Sequence, residues 1–358
     1  MKTLLLVPDL YAGEGGIARI MRLYLKALAD LAAAGDTVSY LALLDGKVPN
    51  ERLLTDLGGK EVKGEVCARN KWRFLLRGVR RAAQADRVVC GHVHHLIIAR
   101  LAKWLRPSLK YYLVAHGIEV WRPFSTAESS ALLGAEKIFC VSEYSRRQML
   151  RFLPQLDPSR LTVVPNTFDP RFSPEQVARR DSTAHPRVLV VSRLDSGDPY
   201  KGVDLMIEAM PVLRRWHPRA QLRIVGGGND RPRLEGLVRQ FAVESCVRFT
   251  GIIDDAQLCR EYADCDVFAL PSRKEGFGLV YLEAMSFGKP CLAARAGGAP
   301  EVVNDSVGGL VEYGNTEQIA AMIDDILIHP RSRAAIEQRA RDFSFAVFCD
   351  RLATELRA

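Results

Sequence analysis

At 358 residues the chain is long enough for two domains of ordinary size. Apolar residues make up 48% and charged residues 26%, the mix of a soluble globular protein, and no run of about 18 apolar residues is present to form a membrane-spanning helix. The net charge of +8 is unevenly placed: residues 1–180 hold 28 Lys and Arg against 17 Asp and Glu, a net of +11, whereas residues 181–358 hold 22 against 25, a net of −3. A basic front half predicts an anionic partner there, with nucleic acid and an anionic membrane surface both qualifying.

The opening MKTLLLVPDL lacks the small-residue cleavage pattern of a signal peptide and reads as a buried first strand, Thr3–Val7. A helix over about Ile17–Ala33 and a strand Thr37–Leu43 follow. Next come Arg87–Cys90, a helix Leu96–Leu105, and strands Tyr111–Ala115, Lys137–Val141 and Leu161–Val164. Past residue 186 the pattern resumes with Arg187–Ser192, a helix over about Val203–Trp216, then Gln221–Val225, Val247–Thr250, Val267–Leu270 and Pro290–Ala294. Short apolar runs joined by helices predict α/β architecture, with parallel sheets covered on both faces. Between Asn166 and Pro186 the prolines multiply and apolar periodicity is lost, as in an interdomain linker. Two doubly wound halves joined there would face a deep cleft at the carboxyl ends of their strands.

Cys67, Cys90, Cys140, Cys246, Cys259, Cys265, Cys291 and Cys349 form no C-x-x-C pair and mostly sit in apolar surroundings. They read as small core residues of a protein in a reducing cytoplasm, neither zinc ligands nor a disulfide framework.

Three strand–glycine–helix junctions suit phosphate. In PDLYAGEGGIARI, Gly13, Gly15 and Gly16 precede a helix, although the spacing is neither G-x-G-x-x-G nor a P-loop, and a plain tight turn stays open. In VSRLDSGDPYKGVDLMIEAM, Arg193 follows a strand and Lys201 stands just before a helix. A cation is unfavourable there unless an anion joins it; two solvated surface cations are the alternative. In RKEGFGLVYLEAMSFGKP, Gly276, Phe277 and Gly278 lead into a helix over about Gly278–Phe287 that is apolar nearly all round yet carries Glu283. A carboxylate in that place needs hydrogen-bond donors. It lies about 7.5 Å along the axis from Gly278, at 1.5 Å per residue, where the ribose of a diphosphate held at the helix start would come. Glu275, on the other side of the glycines, is placed for a sugar on the far phosphate. A capping carboxylate and a core salt bridge are the structural alternatives.

These motifs, together with AHGIEVWRP around His116, resemble those of retaining glycosyltransferase family 4, whose members have the GT-B fold of two Rossmann-like domains. The likeness spans nearly the whole chain, and its most specific mark is the pair Glu275 and Glu283 in EGFGLVYLE downstream of Arg193 and Lys201. The resemblance implies an N-terminal acceptor-binding domain over 1–168, a linker over 169–186, a donor-binding domain over 187–340, and a C-terminal segment 341–358 whose helix, about Ala346–Leu356, returns to the first domain. It implies that Arg193, Lys201 and the backbone at Gly15, Gly16, Phe277, Gly278 and Leu279 hold the donor diphosphate. Glu283 would bind the ribose and Glu275 the transferred sugar, with His116 near the reaction centre. The implied reaction moves a hexose from a nucleotide sugar, of GDP-mannose or UDP-glucose type, to a glycan or polyprenyl-linked acceptor in exopolysaccharide or envelope synthesis. Two cations in place of a metal, and no D-x-D in a suitable loop, imply that no metal or other cofactor is required.

GHVHHL, with His92, His94 and His95, has no further ligand at a usual metal spacing and reads as a loop at a strand end. RNKWRFLLRGVRRAAQ, over 69–84, sets six cations from Arg69 to Arg81 among Trp72, Phe74, Leu75 and Leu76. It fits both an amphipathic helix on the inner face of the plasma membrane and an ordinary surface helix. Two other functions compete: a nucleotide-sugar epimerase or hydrolase on the same fold, and a basic nucleic-acid-binding protein. The latter lacks aromatic-basic RNA motifs and recognition-helix signatures, so no nucleic-acid partner is expected.

Overall fold

A computed structural model of the chain describes residues 1–13, 15–172 and 185–357. The chain divides into two compact units, Met1–Thr167 with Phe345–Ala358, and Phe168–Ser344. Of the linker reading over 169–186, residues 173–184 lie outside the described residues.

The first unit runs β1 (Lys2–Val7), α1 (Gly16–Asp30), β2 (Thr37–Ala42), α2 (Asn50–Asp56), β3 (Lys63–Val66), α3 (Lys71–Ala82), β4 (Arg87–Cys90), α4 (Leu96–Leu105), β5 (Lys110–Ala115), α5 (Thr126–Leu133), β6 (Lys137–Cys140), α6 (Glu143–Phe152) and β7 (Leu161–Val163). The strands form one parallel sheet in the order β3-β2-β1-β4-β5-β6-β7. Leu4–Val7, like Tyr111–Ala115, are buried on alternate sides without a break. Such a strand can be desolvated only if helices cover both faces. The order reverses between β1 and β4, so the loops after these two strands diverge and leave room at their carboxyl ends.

The second unit runs β8 (Arg187–Val191), α7 (Val203–Trp216), β9 (Gln221–Val225), α8 (Arg231–Gln240), β10 (Val247–Gly251), α9 (Asp255–Asp264), β11 (Val267–Leu270), α10 (Leu279–Ser286), β12 (Cys291–Ala294), β13 (Gly308–Val311), α11 (Thr316–Ile328) and α12 (Arg333–Arg341). Its sheet is again parallel, in the order β10-β9-β8-β11-β12-β13. Here the reversal falls between β8 and β11, and the loops carrying Arg193–Lys201 and Glu275–Gly278 are the two that leave this point.

The last helix, α13 (Phe345–Arg357), belongs to the first unit. The Phe348 ring meets the edge of buried Tyr24 at 4.9 Å. Lys137 Nζ is 2.8 Å from Glu355 Oε2, and Arg87 Nη2 donates to the Leu356 carbonyl at 3.0 Å. Apolar burial holds this helix down, and the two polar contacts fix its register.

Candidate functional site

In the second unit the sequence forces two loops together at the switch point. The Arg193 loop is clamped from one side by the glycine-rich turn after β9: Leu194 N donates to Gly227 O at 2.9 Å, Asp230 N to Leu194 O at 3.0 Å, and Ser196 N to Asn229 Oδ1 at 2.8 Å. From the other side Arg273 N donates to Tyr200 O at 2.8 Å, tying it to the loop after β11. The outcome is a short ion pair between the two loops, Lys201 Nζ to Glu275 Oε2 at 2.9 Å. The Arg193 guanidinium, largely exposed, donates to Asp198, and its Nε lies 3.8 Å from Asp195. Asp198 also accepts from Tyr200 Oη at 2.7 Å. Burial pushes the Asp198 carboxyl up, but hydrogen bonds from Arg193 and Tyr200 outweigh it and hold the group below its usual range. Each of the two cations thus stands beside a carboxylate: Arg193 with Asp198, Lys201 with Glu275.

Both helices that start here lack a side-chain cap. Gly202 precedes α7 and Gly278 precedes α10, and neither can supply an oxygen to the first-turn amides. Elsewhere α3, α5, α6, α9, α11 and α12 are capped by Asn70, Ser125, Ser142, Asp254, Asn315 and Ser332 respectively, whereas α2, α4 and α8 also lack a side-chain cap. Gly278 has φ of +96°, a conformation open to glycine and strained for other residues, and it aims the chain into α10 at Leu279. The Phe277 side chain is buried against Phe343, ring centroids 5.4 Å apart, so only its backbone faces this loop's chemistry.

Glu283 lies in the buried middle of α10 and is 3% exposed. The donor its carboxylate demands is in part the protein's own: Tyr262 Oη, from α9, donates to Oε2 at 2.8 Å. A buried carboxylate needs a partner at all times and not only when a ligand is bound, and Tyr262 supplies one.

In the first unit Gly15 stands at the N-cap of α1 and Gly16 is its first residue, again without a side-chain cap. The loop before it is held by buried Asp45, whose oxygens accept from Leu10 N at 2.8 Å and Tyr11 N at 2.9 Å. His116 follows β5. Its Nε2 lies 3.0 Å from Gly91 O, and its buried Nδ1 has no hydrogen-bond partner among the described residues. Burial pushes its pKa down to about 4, so the ring is neutral at neutral pH. Glu119 Oε1 accepts from His116 N at 2.5 Å and from Gly117 N at 3.2 Å, which fixes the turn. Of the other histidines, His95 is a core residue, its ring 4.8 Å from that of Phe74 and its Nδ1 3.3 Å from Leu6 O. His94 is exposed beside the Arg122–Glu128 ion pair. Among the described residues no group of three or more His, Cys, Asp or Glu is arranged to hold a metal ion.

Residues 15–172 match glycosyltransferase family 4, and residues 175–343 match glycosyl transferases group 1. A D-inositol 3-phosphate glycosyltransferase of Actinosynnema mirum is 30% identical, over 84% of this chain and 78% of its own length. The chain belongs to glycosyltransferase family 4. A GDP-mannose-dependent alpha-(1-6)-phosphatidylinositol monomannoside mannosyltransferase of Mycolicibacterium smegmatis is 35% identical over 64% of each chain, so the match spans just under two thirds of that relative. The crystal structure of Anabaena HepE in complex with UDP and glucose superposes over the whole of both chains, with a TM-score of 0.79 at 23% identity. A sucrose-phosphate synthase of Thermosynechococcus elongatus does so over 100% and 98%, at a TM-score of 0.76 and 20% identity. The fold of this family 4 member is accordingly GT-B, two parallel-sheet Rossmann-like domains. Asp198 and Tyr262 were not visible as site residues in the sequence. Asp198 lies in a polar loop with several acids, and Tyr262 in an amphipathic helix where an aromatic reads as core.

Proposed function

We propose that this protein is a retaining hexosyltransferase. It moves a hexose from a nucleoside-diphosphate sugar, with GDP-mannose the first donor to test and UDP-glucose the second, to a glycan or polyprenyl-linked acceptor in exopolysaccharide or envelope glycan synthesis. The observation that carries this is the Arg193, Lys201 and Glu275 cluster at the uncapped starts of α7 and α10. A nucleoside diphosphate is the leaving group, so negative charge grows on its oxygens as the glycosidic bond breaks. Two cations and the amides at the two helix starts stabilise that charge, with no metal needed. Arg193 exchanges Asp198 for a phosphate oxygen, a swap of one anion for another that keeps the guanidinium paired. Lys201 keeps one hand on Glu275, which sets that carboxylate for the hydroxyls of the transferred sugar. Glu283, oriented by its protein partner, takes the ribose. This reading gives the acceptor to the first unit, where Gly15 and Gly16 open α1 without a side-chain cap and His116 carries a neutral ring. GDP-mannose comes first because several relatives carry it in their names, at up to 35% identity.

Thermal melting against a panel of nucleotides in EDTA tests this. One nucleoside diphosphate should stabilise the protein by about 2.7 kcal/mol at a hundredfold excess over its Kd. A shift seen only with magnesium would overturn metal independence, and no shift with any nucleotide would overturn the donor site. Label released from a nucleotide sugar without acceptor would favour the hydrolase or epimerase reading.

The basic segment 69–84 forms α3 between Lys71 and Ala82, and it carries two apolar faces. Phe74, Gly78 and Ala82 pack inward, while Trp72 and Leu76 are 75% and 70% exposed next to exposed Arg73 and Arg80. Arg77 and Arg81 are engaged at home, with Glu65 and the Tyr40 carbonyl. An exposed tryptophan and leucine flanked by cations fit an anionic bilayer surface, which would place the enzyme beside a lipid-linked acceptor on the cytoplasmic face. No described helix is long and apolar enough to cross a membrane. The protein should float with vesicles containing phosphatidylglycerol, and a W72S/L76S/R73E/R80E variant should stay at the bottom of the gradient. Equal flotation of both proteins would remove this reading.

A further inference from the structure

Exposed apolar side chains scattered singly over a surface need no explanation, but in this protein they gather. Of the five most exposed large apolar side chains among the described residues, four stand on the neighbouring helices α3 and α4: Trp72, Leu76, Trp104 and Leu105, each at least 67% exposed. The same two helices carry seven Lys and Arg and no Asp or Glu. Glu65 pairs with Arg77 at 2.7 Å and Arg81 at 3.5 Å, whereas Arg73, Arg80 and Arg100 have no ion pair among the described residues. The end of α5 adds to the patch. A Cβ built at Gly134 would stand 3.5 Å from Arg100 Cδ, which brings Leu133, 41% exposed, beside Arg100. The Arg100 guanidinium lies 5.8 Å from the centroid of the Trp104 ring, and Arg160 donates to the Leu133 carbonyl at 3.0 Å. Trp104, Leu105 and Leu133 thus stand exposed among cations, at a place that no motif marks.

The two helices lie side by side and run the same way, each leaving the carboxyl end of one parallel strand and returning to the amino end of the next. A Cβ built at Gly78 would stand 2.8 Å from Ile98 Cγ2, so these two residues are level. Trp104 then lies about 12 Å further along than Leu76, eight residues at about 1.5 Å each, and about 9 Å to its side. At about 100° per residue, Leu76 is turned about 200° from buried Phe74, and Trp104 about 200° from buried Ala102. Both point away from the sheet.

We propose that α3 and α4 make one membrane-facing side of the first unit, and that Trp104, Leu105 and Leu133 are a second anchor, entering an anionic bilayer together with Trp72 and Leu76. This extends the reading of α3 given above, on residues which that reading does not use. A single anchor lets the unit pivot on the surface. Two, at opposite ends of the helix layer, hold the sheet along it. The carboxyl ends of β1, β4 and β5, with His116, then open sideways at the level of the head groups, where a lipid-linked acceptor presents its sugar. The tryptophan rings suit the bilayer interface and the arginines suit anionic head groups. A nucleic acid would be matched by the cations but not by the apolar side chains among them.

The experiment measures partitioning of the whole chain onto vesicles of phosphatidylglycerol and phosphatidylcholine, and quenching of its tryptophan fluorescence by phosphatidylcholine brominated in the acyl chains. W104S/L105S should weaken partitioning about ten- to a hundredfold, the loss expected when two large apolar side chains no longer leave water. W216S, which removes a half-exposed tryptophan of the second unit, should leave partitioning unchanged. In W72F/W121F/W216F the remaining Trp104 should be quenched by the brominated lipid. If that variant does not fold, the quenching lost between the wild type and W104F reports the same insertion. Bound protein whose Trp104 escapes quenching, or W104S/L105S that partitions like the wild type, overturns the second anchor even when the α3 substitutions abolish flotation. If W72S/L76S/R73E/R80E floats unimpaired while W104S/L105S does not, the joint footprint is overturned together with the α3 reading, and α4 docks alone. Equal partitioning onto phosphatidylcholine alone overturns the anionic partner, and binding to neither vesicle overturns both readings.

Discussion

A protein with both Arg193 and Lys201 replaced by methionine should lose about 10³- to 10⁴-fold in kcat/KM for its donor while keeping its fold. On the proposed reading each side chain meets a point where negative charge develops, and removing one such donor typically costs about 10²- to 10³-fold. The double loss falls short of the product of two such factors because the pair shares one diphosphate, and shared partners are not additive. Folding is expected to survive: Arg193 is largely exposed, and methionine matches the aliphatic part of both side chains. The single variants separate the roles. R193M leaves Asp198 facing the phosphate without its partner, so it should raise KM most. K201M takes the partner from Glu275 as well as from the phosphate, so it should lower kcat more than it raises KM. R193K should recover only part of the loss, because a point charge does not reproduce a fork. Steady-state kinetics with the donor identified by thermal shift decides this. A double variant within tenfold of wild type would show that the diphosphate is held elsewhere.

Much of this arrangement could be read from the sequence because backbone chemistry dictates it. The helix Val203–Trp216 and the strands Arg87–Cys90 and Val267–Leu270 have the bounds that their apolar runs and glycine punctuation specify. α10 ends where Gly288 and Pro290 require it to end. What escaped notice are elements that carry little side-chain signal of their own. β3, KGEV, is an edge strand whose polar residues face water, and β13, GGLV, is held by pairing with β12 although half of it is glycine. α2 is seven residues long with a single buried leucine, too short for a periodicity to stand out. At the site, residue types and spacing single out the cations and the two glutamates as candidates. The partners each one has in the fold come from distant segments: Tyr262 is 21 residues from Glu283, and Lys201 is 74 from Glu275. Such pairings follow from the strand order around the switch point, which a single sequence does not spell out. The same holds for α3, where one sequence stripe supports two faces and only packing shows that Phe74 turns inward and Trp72 outward.

Gly297→Ala should reduce kcat about a hundredfold and leave nucleotide binding nearly intact, although the residue lies outside every motif named above. Gly297 sits after β12 with φ of +62°. A Cβ built there would stand 2.4 Å from the carbonyl oxygen of Glu275 and 3.1 Å from its amide nitrogen. The neighbouring Gly298 N donates to that same carbonyl at 2.7 Å, so the turn after β12 is the seat on which the Glu275 backbone rests. Alanine held in the left-handed conformation costs about 1 kcal/mol, and its Cβ must then push the Glu275 peptide away. If Glu275 orients the reacting sugar as proposed, a displacement of about 1 Å is enough for a hundredfold loss. Lys201 would follow its partner only as far as its own loop permits, which is tied down through Tyr200 and Arg273. The discriminating pair of measurements is turnover and the thermal shift given by the nucleoside diphosphate. Loss of turnover with the shift retained places the effect on the sugar side of the site. Retained turnover would mean that the exact seat of Glu275 is unimportant to the reaction. Loss of both would mean that the disturbance has spread along the loop to Gly278 and the start of α10, so that the diphosphate and the sugar are governed by one rigid segment rather than two.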